Sequence, residues 1–598
     1  MSNDRSPDGI ENIVGGAEGD TGETGETGGL SRRALLRLGA LAGAGASVAG
    51  VARAASSEGA AAVEDASSRA PSDWNEATIA QLQAAMASGH LRSLELVDFY
   101  LARIALLDKS GPNVNAVLEV NPAARAIAKA LDNERRAHGP RGPLHGIPVL
   151  LKDNIDTADR TMTTAGSIAM VGPAPAADAT VAARLRQAGA VILGKANLSE
   201  WANFRSTSSS SGWSGRGGQT SCPYVRGFNP CGSSSGSGAG VSANLTTFAL
   251  ATETDGSIVC PASTNGVVGI KPTLGLTSRA GVVPISHNQD VVGPHARTVA
   301  DAAAVLGALV GVDPRDPATQ ASAGKFSTDY TQFLDPAGLR GARIGVARQT
   351  FTGYSSKTDA IFEEALAAMR DAGAVVVDPA DIPTAQQIAT DPSEFTVLIY
   401  DFKRDLNAYL ATRHGLQVHT LADLIAANEA LADRELQFFG QEVFLMAEAS
   451  TTTDQQYQDA LAMSHKLSRD DGIDAVMTQL NLDALVAPTG SPSWATDLVN
   501  GDHFLGASSS PAAMAGYPNI TVPAGFFNGL PVGISIFGRA WSEPKLISIA
   551  YAFEQATKIR RPPQFLPGPL PEAPGTGHAG TARAQAVGAP ERRLFGLL

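Results

Sequence analysis

From Leu144 onward the chain alternates short apolar runs with stretches of helical periodicity, and this alternation restricts its possible folds more than any other feature. Ile147-Pro148-Val149-Leu150-Leu151 reads as a strand, Thr180 to Ala188 as a helix, and Ala190-Val191-Ile192-Leu193-Gly194 as another strand. Leu245 to Ala251, Gly266 to Ile270, Gly341 to Ala347, Ala374 to Val377, Ala484 to Ala487 and Gly533 to Phe537 extend the series. Runs this short and continuously apolar suit strands buried on both faces, with helices as the cover. The predicted class is α/β, a large mixed β-sheet core covered by helices on both faces. Leu82 to Met86, Leu94 to Leu107 and Pro122 to Arg136 carry amphipathic helical patterns ahead of it. The stretch from about Glu394 to Lys466 is helical by periodicity and is expected to form an inserted cap.

The two ends read differently. Ser31-Arg32-Arg33-Ala34-Leu35-Leu36, an apolar run from Leu38 to Val51, and Ala52-Arg53-Ala54 have the pattern of a twin-arginine export signal. We expect residues 1–54 to be that signal, 55–73 a disordered linker, 74–560 one domain, and 561–598 a disordered tail rich in proline and glycine. The expected destination is the periplasm or the exterior. Of the 598 residues, 43% are hydrophobic and 18% charged, with a net charge of −13 and no long block of lysine and arginine. That balance argues against nucleic-acid partners and against stable membrane association once a signal is removed. Cys222, Cys231 and Cys260 are too few for a disulfide framework and leave at least one thiol unpaired, with Cys231 and Cys260 expected as small buried thiols. The ten histidines are scattered, so neither a metal nor a cofactor is predicted, although carboxylates distant in sequence can still meet.

Candidate chemistry lies in two clusters. Cys231-Gly232-Ser233-Ser234-Ser235-Gly236-Ser237-Gly238 and Thr252-Glu253-Thr254-Asp255-Gly256-Ser257 fall within one short stretch, with Leu150-Leu151-Lys152-Asp153-Asn154 upstream. Glycine and serine at this density let the backbone turn sharply and present N–H groups to an anion. The turn from Thr254 through Asp255 and Gly256 to Ser257 could gather such donors on an oxyanion, each worth about 2.7–4 kcal/mol in a dry site. Ser257 would be the nucleophile, Ser233 a proton relay, and Lys152 the base. A lysine serves as base only if burial lowers its pKa from about 10.4 by several units.

Read together, Gly146-Ile147-Pro148 through Lys152-Asp153-Asn154, Cys231-Gly232-Ser233-Ser234, Asp255-Gly256-Ser257 through Pro261, Gly266-Val267-Val268-Gly269 and Lys271-Pro272-Thr273 resemble the amidase signature family. Ser286 to Thr298 and Gly516-Tyr517-Pro518-Asn519-Ile520-Thr521-Val522-Pro523 continue the match, which spans about residues 74–560. The resemblance implies a serine amidohydrolase acting on a small-molecule or peptide amide without a cofactor. By motif position it implies Ser257 as nucleophile, Ser233 as a bridging serine on a cis peptide bond, and Lys152 as base. The oxyanion donors fall on the amides of Thr254 to Ser257, and Ser234 and Thr252 on supporting positions. Asp255 stands where the family often has glycine, Val259 where it often has arginine, and His295 where methionine is frequent. The form of these motifs looks most like bacterial peptide amidases, which remove C-terminal amide nitrogen from peptides.

Three other readings compete. Gly232-Ser233-Ser234-Ser235-Gly236 also fits the nucleophile elbow of α/β-hydrolases, with Ser234 attacking, but Asn229-Pro230 cannot form the buried strand that elbow needs. The remaining alternatives are a non-catalytic peptide- or carbohydrate-binding protein on the same fold and the A-type component of an amidotransferase. His145 is expected to cap a backbone group. Trp201 and Trp213 could wall a pocket or fill core.

Overall fold

The computed structural model describes residues 74–568. The expected signal and linker, and the tail beyond residue 568, lie outside the described residues. Residues 561–568, assigned from sequence to a disordered tail, instead pack on the domain. Leu566 bridges to Val225, its N–H donates to the Tyr224 carbonyl, and the Phe565 N–H donates to the Pro223 carbonyl. Leu566 also packs into a small apolar cluster with Tyr224 and Leu530, an anchor hidden within a proline-rich composition.

Eleven strands form one mixed sheet. In chain order the strands are β1 (Val117–Val120), β2 (Pro148–Lys152), β3 (Val191–Ala196), β4 (Trp213–Ser214), β5 (Gly218–Gln219), β6 (Phe248–Glu253) and β7 (Val268–Lys271). There follow β8 (Val291–Ala296), β9 (Arg343–Val346), β10 (Val375–Val377), β11 (Ala484–Pro488), β12 (Asn519–Phe527) and β13 (Leu530–Phe537). The sheet runs β1-β3-β2-β6-β8-β7-β12-β13-β11-β9-β10, while β4 and β5 make a separate two-stranded ribbon. β2 is parallel to β3 and β6, and β9 is parallel to β10 and β11. The other ladders are antiparallel.

Every residue of β2, β3, β6, β7, β8 and β11 is buried, so both faces of those strands are covered. Helices Ser235–Ser242 and Val259–Thr264 form one cover, and Val299–Leu309, Ser356–Asp371 and Glu543–Thr557 belong to another. The expected strands are present with ends shifted by a few residues. Periodicity failed to single out β1, β8 and β12: β1 is mostly half-exposed, and β8 carries a glycine, a proline and a histidine. The expected inserted segment is helical, with helices Ser393–Ala411, Leu421–Ala430, Glu442–Glu448 and Asp454–His465 between β10 and β11, and is called the cap below. Its apolar faces enclose a second core where Leu398, Phe402 and Phe444 meet Trp201 and Phe204 from the short helical turn after β3. Among the described residues, no helix is long and apolar enough to cross a membrane.

Candidate active site

β2 carries Lys152 into the interior. Flanked by two parallel neighbours, the strand leaves its last side chain no route to solvent, and Lys152 is fully buried. Its Nζ lies 2.8 Å from Ser233 Oγ, 2.9 Å from Thr252 Oγ1 and 3.2 Å from the Thr252 carbonyl. These partners are two alcohols and a carbonyl, while the carboxylates of Asp290 and Glu253 act only through their fields. Burial pushes the amine down to about 7, and those carboxylates offset part of the shift. A neutral amine has two N–H donors and one lone pair. If the two oxygens of Thr252 take the donors, the lone pair faces Ser233.

The glycine-serine loop holds Ser233 by its backbone. The Gly232–Ser233 peptide bond is cis, and the Ser233 carbonyl accepts the Ser199 N–H at 3.0 Å. A Cβ on Gly232 would stand 2.1 Å from Ser199 Oγ, so only glycine fits this approach. Next to it Ser234 Oγ donates to the Thr252 carbonyl at 3.0 Å, placing Ser234 and Thr252 around the amine. No strand precedes Ser234, and the nucleophile-elbow reading fails for that reason.

Ser257 follows a turn at the end of β6. Gly256 takes φ +76°, a conformation side-chain-bearing residues rarely adopt. Glu253 Oε2 accepts the N–H groups of Ile258 at 2.6 Å and Val259 at 3.0 Å. Those two amides are thereby committed to Glu253, just beyond the turn Thr254, Asp255, Gly256 and Ser257 on which oxyanion donors are expected from sequence. Ser257 is 3% exposed, and its carbonyl accepts the Ser234 N–H at 3.3 Å. The two loops therefore touch.

They are also covalently joined. Cys231 and Cys260, expected as thiols, form a disulfide with Cα atoms 6.0 Å apart, and only Cys222 is a free, buried thiol. Their separation of 29 residues shows no pairing by itself; tertiary contact of the Ser233 and Ser257 loops brings the sulfurs together. Closing a loop of that length stabilises the fold by about 3–4 kcal/mol in the chain-entropy account.

Several site residues escaped the sequence reading. Asp290 accepts the Thr254 hydroxyl at 2.6 Å and the Ile285 and Ser286 amides, and burial raises it to about 6. Glu394 opens the first cap helix and accepts from Gln289 at 2.8 Å. Burial beside Asp255 holds its carboxyl at about 8. Asp255 itself is buried, with Oδ2 taking the Ser510 hydroxyl at 2.6 Å. In sequence Glu394 looks like an ordinary acidic residue at a helix start, so no local signal could have found it. Val259 is buried as the first residue of its helix. His295 is buried at the back of the loop, its Nε2 2.8 Å from the Ile258 carbonyl, and desolvation lowers it to about 4. His145 contacts the Leu131 carbonyl at 3.0 Å, as expected of a capping residue. Trp201 packs edge-on against Phe444, and Trp213 against Phe438 and Phe439, so both fill core at the cap boundary.

Known proteins resemble this chain over most of its length. The family model described as Amidase matches residues 95–547. A protein named probable amidase from Arabidopsis thaliana is 47% identical over 82% of this chain and 92% of its own length. A solved peptide amidase, in complex with the competitive inhibitor chymostatin, is 52% identical with a TM-score of 0.79, over 82% of this chain and 99% of that one. The A-type component of the glutamyl-tRNA(Gln) amidotransferase from Chloroflexus aurantiacus is more distant, at 34% identity over 80% of this chain and 96% of its own. With the family model spanning the whole sheet and the loops that carry Ser233 and Ser257, the chain belongs to the amidase signature family and is an amidase.

Proposed function

We propose that this amidase hydrolyses carboxamide C–N bonds through a Ser257–Ser233–Lys152 relay and an acyl-enzyme, acting on the C-terminal amides of peptides. The carrying observation is the 2.8 Å contact between a fully buried lysine amine and the Ser233 hydroxyl. Ser257 Oγ attacks the carbonyl carbon while its proton passes to Ser233, whose own proton moves to the neutral Lys152. Amides of the turn from Thr254 to Ser257 hold the oxyanion. The ammonium of Lys152 then returns a proton through Ser233 to the departing nitrogen, the C–N bond breaks, and ammonia leaves. Water repeats the sequence on the ester and releases the acid.

The peptide-amide substrate is supported by the level of likeness to the solved peptide amidase, which exceeds that to the amidotransferase component. Export by the twin-arginine motif belongs to the same proposal, and a buried disulfide accords with an oxidising compartment. A panel of peptide amides, simple amides and esters, assayed for ammonia and acid with no second protein present, tests the substrate. Peptide amides should turn over fastest; no ammonia from any of them would reject that assignment. A fluorophosphonate probe should label Ser257, and labelling of another serine in folded protein would reject the nucleophile.

A further inference from the structure

The first cap helix, Ser393–Ala411, carries Asp401 and Asp405 one turn apart, hence on one face. Against that face lies the loop between β7 and β8, which presents His287. His287 Nδ1 is 2.9 Å from Asp405 Oδ2 and 3.7 Å from Asp401 Oδ1. One ligand atom from each of the three lies within 4.8 Å of the others. We propose that His287, Asp401 and Asp405 bind a divalent transition-metal ion of the Zn2+ class, clamping the cap helix to this loop.

The independent observation is Asp401 itself. Its side chain is fully buried, yet Oδ1 accepts no hydrogen bond. The other oxygen, Oδ2, takes the Ser286 hydroxyl at 2.6 Å and the Asn288 amide at 2.8 Å. These bonds fix the carboxylate so that its unused oxygen points towards His287. Supporting hydrogen bonds of this kind orient metal ligands. Ligands about 2.0–2.2 Å from a zinc ion lie about 2.9–3.5 Å from one another in octahedral or tetrahedral geometry. The two separations from His287 bracket that interval, and all three ligand atoms lie within 4.8 Å of one another.

The ligand set favours transition metals over calcium. One imidazole and two carboxylates suit zinc and its first-row neighbours, whereas calcium prefers six to eight oxygens. His287 is 55% and Asp405 22% exposed, so an ion can enter and water can fill the remaining positions. The cation beside His287, Arg279, is already paired with Asp316 through both carboxylate oxygens.

The test uses the full, untagged chain, stripped with a chelator and titrated with ZnCl2 by calorimetry and thermal unfolding. One ion per chain should bind, with an unfolding midpoint that rises with zinc concentration, and Co2+ should give visible d–d bands on the protein. His287→Ala and Asp405→Asn should each weaken binding at least about tenfold and remove the cobalt spectrum. His287 is mostly exposed, so its variant should fold, and amidase activity without zinc reports that it has. Absence of saturable binding to the wild type, or equal binding by the His287→Ala variant, overturns the site.

Discussion

Lys152 and Lys195 sit on adjacent parallel strands, one position out of register, and both are completely buried. Burial lowers the pKa of each, yet their surroundings differ. Lys195 Nζ donates to the Ile155 carbonyl at 2.6 Å and Thr163 Oγ1 at 2.8 Å, and stands 3.9 Å from Asp153 Oδ1. Asp153 is also near Arg216, and Thr164 donates a hydroxyl to it. Lys195 is thus paired with a buried carboxylate, a contact that ties β3 to the loop following β2. Lys152 contacts no carboxylate and faces two hydroxyls. Desolvation makes an amine available as a base only where no adjacent anion restores its charge.

The contrast is open to breakage by substitution. The largest effect should come from Lys152→Met, which removes the base and should lower kcat/KM by about 10³-fold, with Ser257→Ala at least as severe. Lys152→Met should leave the unfolding midpoint unchanged or higher, because methionine needs no solvation in that slot. A fall in stability with retained turnover would place Lys152 with Lys195 as structural.

Lys195→Met should do the reverse. Removing one of the buried Asp153 carboxylate's partners, with Arg216 and Thr164 left in place, costs about 1–3 kcal/mol of stability, read as an earlier denaturant midpoint, while the folded fraction keeps its activity. A chain of undiminished stability would dissolve the comparison.

A smaller effect follows from pH. With Lys152 at about 7, only the deprotonated amine accepts a proton, so kcat/KM should fall about tenfold per unit below pH 7 and level off above about 8. An inflection near about 10, where an ordinary lysine titrates, would contradict a desolvated base. The mildest test is Asn154→Ala, which removes the 2.9 Å bond from Asn154 to Thr252 Oγ1. Losing one supporting hydrogen bond is worth about 0.5–1.5 kcal/mol, a several-fold loss of rate with the pH profile displaced in step.

Much of this site could be read from residue order because its parts are local. Lys152 ends an apolar run, and Ser233 and Ser257 lie in glycine-bearing turns, where backbone demands restrict the residues allowed. The strands β2, β3 and β6 announced themselves by unbroken burial. Asp290, Glu394 and the Cys231–Cys260 bond were not legible, since each depends on a neighbour remote along the chain. Residues 561–568 were misread for a related reason: composition predicted disorder, but Leu566 finds an apolar niche built by Tyr224 and Leu530.

By itself the sequence determined the sheet-and-helix class, the family, and the candidates for base, relay and nucleophile, because periodicity and turn chemistry act over a few residues. Only the tertiary structure decided that Lys152 is dry while Lys195 is paired, that two cysteines meet, and that His287 faces Asp401 and Asp405. Solvation and charge at a point depend on everything packed around it, and most of that arrives from elsewhere in the chain.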